Sequence, residues 1–370
     1  KTVAGWPSYI AMGAVTDANY NNTTSFAGRP VDSIFKYAGD GGDGDPGKVT
    51  YPISTLNTCI QAQDLTASFG QKVMPVMVVY TAEMSGGVTY GDFDDAQNVL
   101  TKHLVTLMLE SAVLQSFATA ENAHPGSIVL NPDLLGMVQQ QSLWNAEGTA
   151  PLNALSVNVD NALLKAYWFM TTSHDWTFFS GAVTVNDKTP LELILLVQEG
   201  ALTGQGIYTP WDIKNEWEAQ ASALVSSAPA GLAYDIPAFS ADFSGWIQAN
   251  NWIIHSFGPD VSFGWQSNIW CNGNANWVHA DLSETDIDNT QAIPTAELWD
   301  ELNVCEGPNQ PHFVVFDKYE RDGIEAAGLG YFWNQRDLTN YLTLVKLLSE
   351  RLGELPAMLW QIPGGHLQTT

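Results

Sequence analysis

Positive charge is what this chain has least of: 14 Lys and Arg stand against 40 Asp and Glu in 370 residues, a formal net charge of −26. A nucleic-acid partner needs a basic footprint to displace condensed counterions, and an anionic membrane or acidic polymer needs the same, so none of these is expected. A neutral ligand fits best. Cysteine is scarce too. Cys59, Cys271 and Cys305 form no CxxC pair and no zinc spacing. Cys271 and Cys305 could close a single disulfide and leave Cys59 free; three buried thiols are the alternative. Seven scattered histidines without a close pair argue against a transition-metal site. No run approaches the ~18–20 apolar residues of a membrane span, and the N-terminus carries no signal-peptide pattern. Low Lys, acid bias and abundant Asn and Trp read as a mature secreted, extracellular protein.

What is present is apolar content of 45% with 14 tryptophans. Any one indole is usually core, yet indole faces also stack on the apolar faces of sugar rings, so tryptophans near strand ends suggest a glycan platform. No internal repeat and no long Pro- or Ser-rich linker divides the chain, which predicts one catalytic domain over residues 1–370. Seven short apolar runs, each ending in polar or acidic residues, predict strands: 9–17, 72–83, 127–133, 230–237, 261–270, 312–322 and 356–365. Near-continuous apolar runs are the pattern of strands buried on both faces. Helices are predicted over 92–120, with acids in the first turn, and over 240–258 and 337–353. Residues 160–225 read as mostly helical, with a candidate strand at 191–198. Strand–helix alternation implies a parallel sheet with helices outside it. The fold class is therefore α/β, an irregular (β/α) barrel of about seven parallel strands, with chemistry expected beyond the strands' carboxyl ends.

The residues found there are consistent with that rule. In "SIVLNPDLLG" (127–136) the strand stops at Pro132, and Asp133 sits at a rigid corner. Its alternative role is to cap the following helix. "HFVVFDKYERD" puts Asp317 directly after a strand, with Glu320 and Asp322 in the next loop. "VVYTAEMSGG" offers Tyr80 and Glu83, and "GAVTD" offers Asp17. "GWQSNIWCNGNANW" (264–277) alternates rings with amides, Trp265, Asn268 and Trp270 among them, as a hydroxyl-rich ligand requires. "MLWQIPGGH" closes the last predicted strand with Trp360, Gln361 and His366. No cofactor is required by any of these. Asp40, Asp43 and Asp45, set between glycines, offer oxygen ligands for a structural Ca²⁺; a solvated loop is the other reading.

Taken in order, these segments resemble glycoside hydrolase family 6, the inverting cellulases with a distorted barrel of about seven strands. "SIVLNPDLLG" is similar to that family's I-E-P-D-x-L corner, "VMPVMVVYTAEMSGG" to its V-V-Y strand, and "GWQSNIWCNGNANW" to its A-T-N-V-x-N-Y-N-x-W segment. "HFVVFDKYERDG" is similar to its H-F-I-x-D-x-x-R-N-G strand and "MLWQIPGGH" to its W-x-K-P-G-G-E. The resemblance covers about a quarter of the chain. It implies that Asp133 is the proton donor, that Tyr80 lies beside the distorted sugar, and that Trp360 is a platform. The family's acid six residues after the Tyr falls on Gly86 here, and its Glu and Asp at the P-G-G motif become His366 and Gln368. The base is therefore sought at Asp317 first and Glu83 next.

The expectation is a monomeric, secreted glycoside hydrolase acting on a neutral polysaccharide such as a β-glucan. Trp265, Trp270 and Trp360 would stack the chain, and Asn268, Gln361, Tyr80, Asp17, Glu320, Asp322 and His366 would line the site. The alternative is a carbohydrate-binding protein on a glycosidase-like fold.

Overall fold

The computed structural model describes residues 1–17, 23–38, 48–80, 93–140, 156–318 and 333–360. Its strands are β1 (Gly13–Val15), β2 (Ser33–Tyr37), β3 (Met74–Val79), β4 (Ser127–Leu130), β5 (His174–Phe178), β6 (Val183–Lys188), β7 (Ser262–Asn268), β8 (Phe313–Asp317) and β9 (Ala357–Trp360). The helices are α1 (Ile53–Phe69), α2 (Val99–Ser116), α3 (Leu134–Gln140), α4 (Val159–Thr171), α5 (Pro190–Gln198), α6 (Pro210–Ser226), α7 (Phe243–Phe257), α8 (Glu284–Ile287), α9 (Ile293–Glu301) and α10 (Gln335–Arg351). Seven strands pair in the order β1-β2-β3-β4-β7-β8-β9. The registers of β1 on β2, β2 on β3, β7 on β8 and β8 on β9 are all parallel. The α/β class stands. Among the described residues the ladder ends at β1 and at β9 and does not close.

The chain divides into two compact units: Ala4–Ile128 with Leu155–Ser262, and Lys1–Val3 with Val129–Ala154 and Phe263–Thr370. It passes between them four times, after Val3, within β4, after Ala154 and at the start of β7.

In the β1–β3 unit, α2 is apolar on nearly every side, the pattern of a helix enclosed by others. It packs against α1, α4 and α7. The indoles of Trp176 and Trp217 stack at 5.6 Å, and Tyr51 meets Trp217 edge-on at 5.1 Å. Five of the 14 tryptophans are fully buried core, Trp176, Trp217 and Trp246 here and Trp265 and Trp299 in the other unit. The segment predicted as one helix over 92–120 becomes helical only at Val99. Asp95 and Asn98 adopt left-handed backbone (φ 59° and 55°) and break the earlier turns. Asp95 instead accepts from the Thr101 amide (2.9 Å) and hydroxyl (2.8 Å) and pairs with Lys165 (2.9 Å). The candidate strand at 191–198 is α5, fixed by a capping box of Thr189 and Glu192 with Pro190 in its first turn. Residues 160–225 also contain the antiparallel hairpin β5–β6. The predicted strand at 230–237 forms no ladder.

In the β7–β9 unit, α10 begins with the reciprocal cap of Asn334 and Asp337. It ends with Arg351 bound to Asp288 through two contacts of 2.8 and 2.6 Å. Residues level with one another on parallel neighbours point to the same face. Asn268 is level with Asp317, and Asp317 with Trp360. One residue pair below, Gln266 is level with Val315, and Val315 with Met358. The carboxyl ends of three strands therefore present a row of amide, carboxylate and indole on one face.

Candidate active site

The site in the β7–β9 unit starts at the corner after β4. Asn131 and Asp133, either side of Pro132, both have positive φ, 43° and 67°. Left-handed backbone costs a non-glycine residue roughly 1 kcal/mol or more, and a residue before proline is restricted further. Such strain persists only where the surroundings over-determine it, and it concentrates at functional sites. Here α3 continues at once, the Met137 amide donating to the Asp133 carbonyl at 2.8 Å. The Asp133 side chain reaches across to β7. Its Oδ1 accepts from Gln266 Nε2 at 3.0 Å and from Asn268 Nδ2 at 2.6 Å. Gly136, one turn into α3, lies against Asn268: a Cβ there would sit 2.5 Å from Asn268 Oδ1. Only glycine lets helix and strand approach this closely.

Asp317 closes β8 and is 6% exposed. The next residue, Lys318, is also buried, and its Nζ lies 4.7 Å from the centre of the Trp333 ring. Its backbone amide donates to the Trp360 carbonyl at 3.3 Å, tying the ends of β8 and β9 together. Behind them the Tyr341 hydroxyl donates to the Phe316 carbonyl at 3.0 Å. Burial pushes that phenol well above its ordinary value, and the Asp317 charge adds to the effect. Trp360 is buried, level with Asp317.

The amides of 264–277 bind one another and their own unit. Besides the pair on Asp133, Asn272 Nδ2 donates to Thr295 Oγ1 and the Gln291 carbonyl, both at 3.2 Å. Asn274 caps the short turn that follows by accepting from the Asn276 amide at 2.8 Å. Trp265, expected as a platform, points to the face opposite Asn268 and is fully buried, so its ring is core. Trp270 is half-buried just past the strand.

Sequence reasoning missed a brace on the other end of α3. Gln139 Nε2 donates to Asn272 Oδ1 at 2.6 Å, and Gln140 Nε2 donates to the Gly273 carbonyl at 2.9 Å. The helix that starts at Asp133 is thus tied to β7 at its head and to the loop beyond Trp270 at its tail. The signal was available: three consecutive glutamines, 139–141, within ten residues of a candidate acid. Of the two alternatives left open for the cysteines, the structure has the unpaired one: Cys59, Cys271 and Cys305 are all free thiols, the first two buried. Cys271 lies 3.5 Å from the Thr295 hydroxyl, and its thiol is pushed up to about 11 by burial.

Asp17 and Tyr80 belong to the β1–β3 unit, also at strand carboxyl ends. Asp17, after β1, pairs with Lys36 at 3.2 Å. Tyr80, after β3, stacks on Tyr37 with ring centres 6.2 Å apart and planes within 8°. Glu83, Glu320, Asp322, Gln361 and His366, and the proposed calcium loop of Asp40, Asp43 and Asp45, lie outside the described residues. Among the described residues no three His, Cys, Asp or Glu side chains gather as a metal site, and no helix is long and apolar enough to cross a membrane.

Comparison of the chain with known protein families, with characterised proteins and with solved structures found no match.

Proposed function

We propose that this protein hydrolyses glycosidic bonds in a neutral polysaccharide, most simply a β-glucan such as cellulose, with Asp133 and Asp317 as its pair of carboxyl groups. One juxtaposition carries the reading. Asn268 holds Asp133 through its side chain and stands level with Asp317 on the adjacent strand. Adjacent strands are about 4.8 Å apart, so the two acids stand roughly one strand and one side chain from each other. Glycosidases that invert place their carboxyl groups about 6.5–9.5 Å apart with a water between, and those that retain about 5–5.5 Å. Trp360, in the same row, supplies the ring that a pyranose face stacks on. The net charge of −26 favours an uncharged glycan. The finer expectations, an irregular barrel and a secreted monomer, belong to the same proposal.

In this reading one carboxyl gives its proton to the leaving oxygen as the glycosidic bond breaks. The other takes a proton from the water that attacks the anomeric carbon. The test is release of reducing ends from a panel of glucans by the parent protein and by Asp133→Asn and Asp317→Asn. Loss of at least a hundredfold in both supports the pairing; unchanged turnover in either removes that residue from the chemistry. A second reading, a carbohydrate-binding protein without turnover, is favoured by Gly86, His366 and Gln368, which replace three acids of the resembling family. Glucan binding with no product from any substrate would select it.

A further inference from the structure

The resemblance implies that Asp133 is the proton donor. Its surroundings point the other way. Two carboxamide N–H groups converge on one oxygen of Asp133, at 3.0 and 2.6 Å. Both donors are themselves buried, Gln266 at 2% and Asn268 at 1% exposure, so water does not compete for them. Hydrogen bonds to an ionised acceptor are shorter and about twice as strong as neutral ones, so a converging pair of donors stabilises the anion over the acid. The same pair is built into the fold. Gln266 and Asn268 lie two apart on β7 and therefore face the same way, and Gly136 lets α3 bring Asp133 within reach of both. Neither β7 nor α3 carries a charged residue; among the described residues Asp317, at the end of β8, is level with Asn268, and Lys318 follows it in sequence.

We propose that Asp133 works as an anion, the group that activates water, and that Asp317 is the proton donor. The inference rests on the hydrolase reading for its chemistry and on the Gln266–Asn268 pair for the assignment. In the reaction, water's oxygen forms a bond to the anomeric carbon and loses one proton to the Asp133 carboxylate. The bond from that carbon to the glycosidic oxygen breaks, its electron pair staying on the leaving oxygen, which takes the proton of Asp317. The products are a hemiacetal and an alcohol, and a proton returns from Asp133 to Asp317 through solvent. Gln266 and Asn268 are then positioning residues that act through Asp133.

Two measurements separate this assignment from the reverse. The first uses an aryl glucoside with a good leaving group, which needs no protonation. An Asp133→Asn variant is expected to lose at least a hundredfold on it and to recover at least tenfold with added azide, while Asp317→Asn keeps turnover within about tenfold. Retained turnover in Asp133→Asn with loss in Asp317→Asn overturns the proposal. The second needs no turnover. In protein labelled with ¹³C at aspartate carboxyls, the Asp133 resonance, assigned from Asp133→Asn, should titrate at lower pH than exposed aspartates. In Asn268→Ala its midpoint should rise by about one pH unit; Gln266→Met provides the same test with the strand volume kept. A midpoint above the exposed aspartates, or one unmoved in both variants, overturns it. Failure of every glycan to react would end the hydrolase reading, and the titration would still decide the charge state.

Discussion

Glu110 gives the sharpest prediction about this protein's stability. It sits in α2, fully buried, and accepts from the Thr55 hydroxyl through one oxygen, while its other oxygen has no hydrogen-bond partner. Burial pushes its carboxyl up from 4.5 to about 8, and the Thr55 hydrogen bond opposes the effect only in part. The sign follows from linkage. Between pH 4.5 and 8 the unfolded chain has lost this proton and the folded chain keeps it, so stability is full below pH 4.5 and falls as pH rises. Above pH 8 both states are ionised and the loss levels off. At 1.36 kcal/mol per pH unit, the 2.5 units from 4.5 to pH 7 come to about 3 kcal/mol. Glu110→Gln removes the titration and keeps the shape. Its constant offset, from an extra buried N–H, cancels when two pH values are compared. Urea unfolding at pH 5 and pH 8 should show the variant gaining about 3–4 kcal/mol on the parent across that interval. A gap that stays constant to within 1 kcal/mol would refute the reasoning, because Glu110 would then carry no linked proton.

Two substitutions test the site's framework. Gly136→Ala puts a Cβ 2.5 Å from Asn268 Oδ1, so the amide must swing off Asp133; the folded variant is expected to lose about tenfold or more in turnover with a stability loss of about 1–3 kcal/mol in urea. Trp265→Ala empties a fully buried site on the opposite sheet face, so it should cost about 3–5 kcal/mol in unfolding while glucan affinity, measured by calorimetry on the folded fraction, stays within twofold.

Much of the sheet was legible because its inner strands β3, β4, β7 and β8 are buried at every position. Six of its seven strands fall within predicted runs, since Val and Ile runs such as 76–79 and 128–130 have few other places to go. The missed strand, β2, is five residues with Lys36 near its end, and no apolar run marks it. The false one, 230–237, holds Gly231 at φ 73° and ends at Pro237, so it turns where a strand would extend. Periodicity would have found β5 and β6: buried and exposed positions alternate through 174–178, and Gly181 takes φ 88° in the turn between them. The α5 segment was misread because apolar composition was weighed above its start signal, Thr-Pro-x-Glu.

The grouping of the candidate residues was legible by position, and their partners were not. A rule about strand ends located Asp133, Asp317 and Trp360, because a parallel sheet brings its carboxyl ends together whatever the sequence between them. It said nothing of what each side chain would touch. An amide has two polar ends, and a stretch rich in Asn and Gln can bind a ligand or itself with equal facility. Here the close approach at Gly136 decides the outcome, since it brings the Asp133 carboxylate within 2.6 Å of Asn268 and turns the amides inward. A carboxamide has two N–H groups, so a buried amide that commits one of them to a carboxylate keeps its other N–H and its carbonyl. If the proposed glycan binds along this row, discrimination among sugars should follow which hydroxyls can meet the polar groups that Asp133 leaves uncommitted.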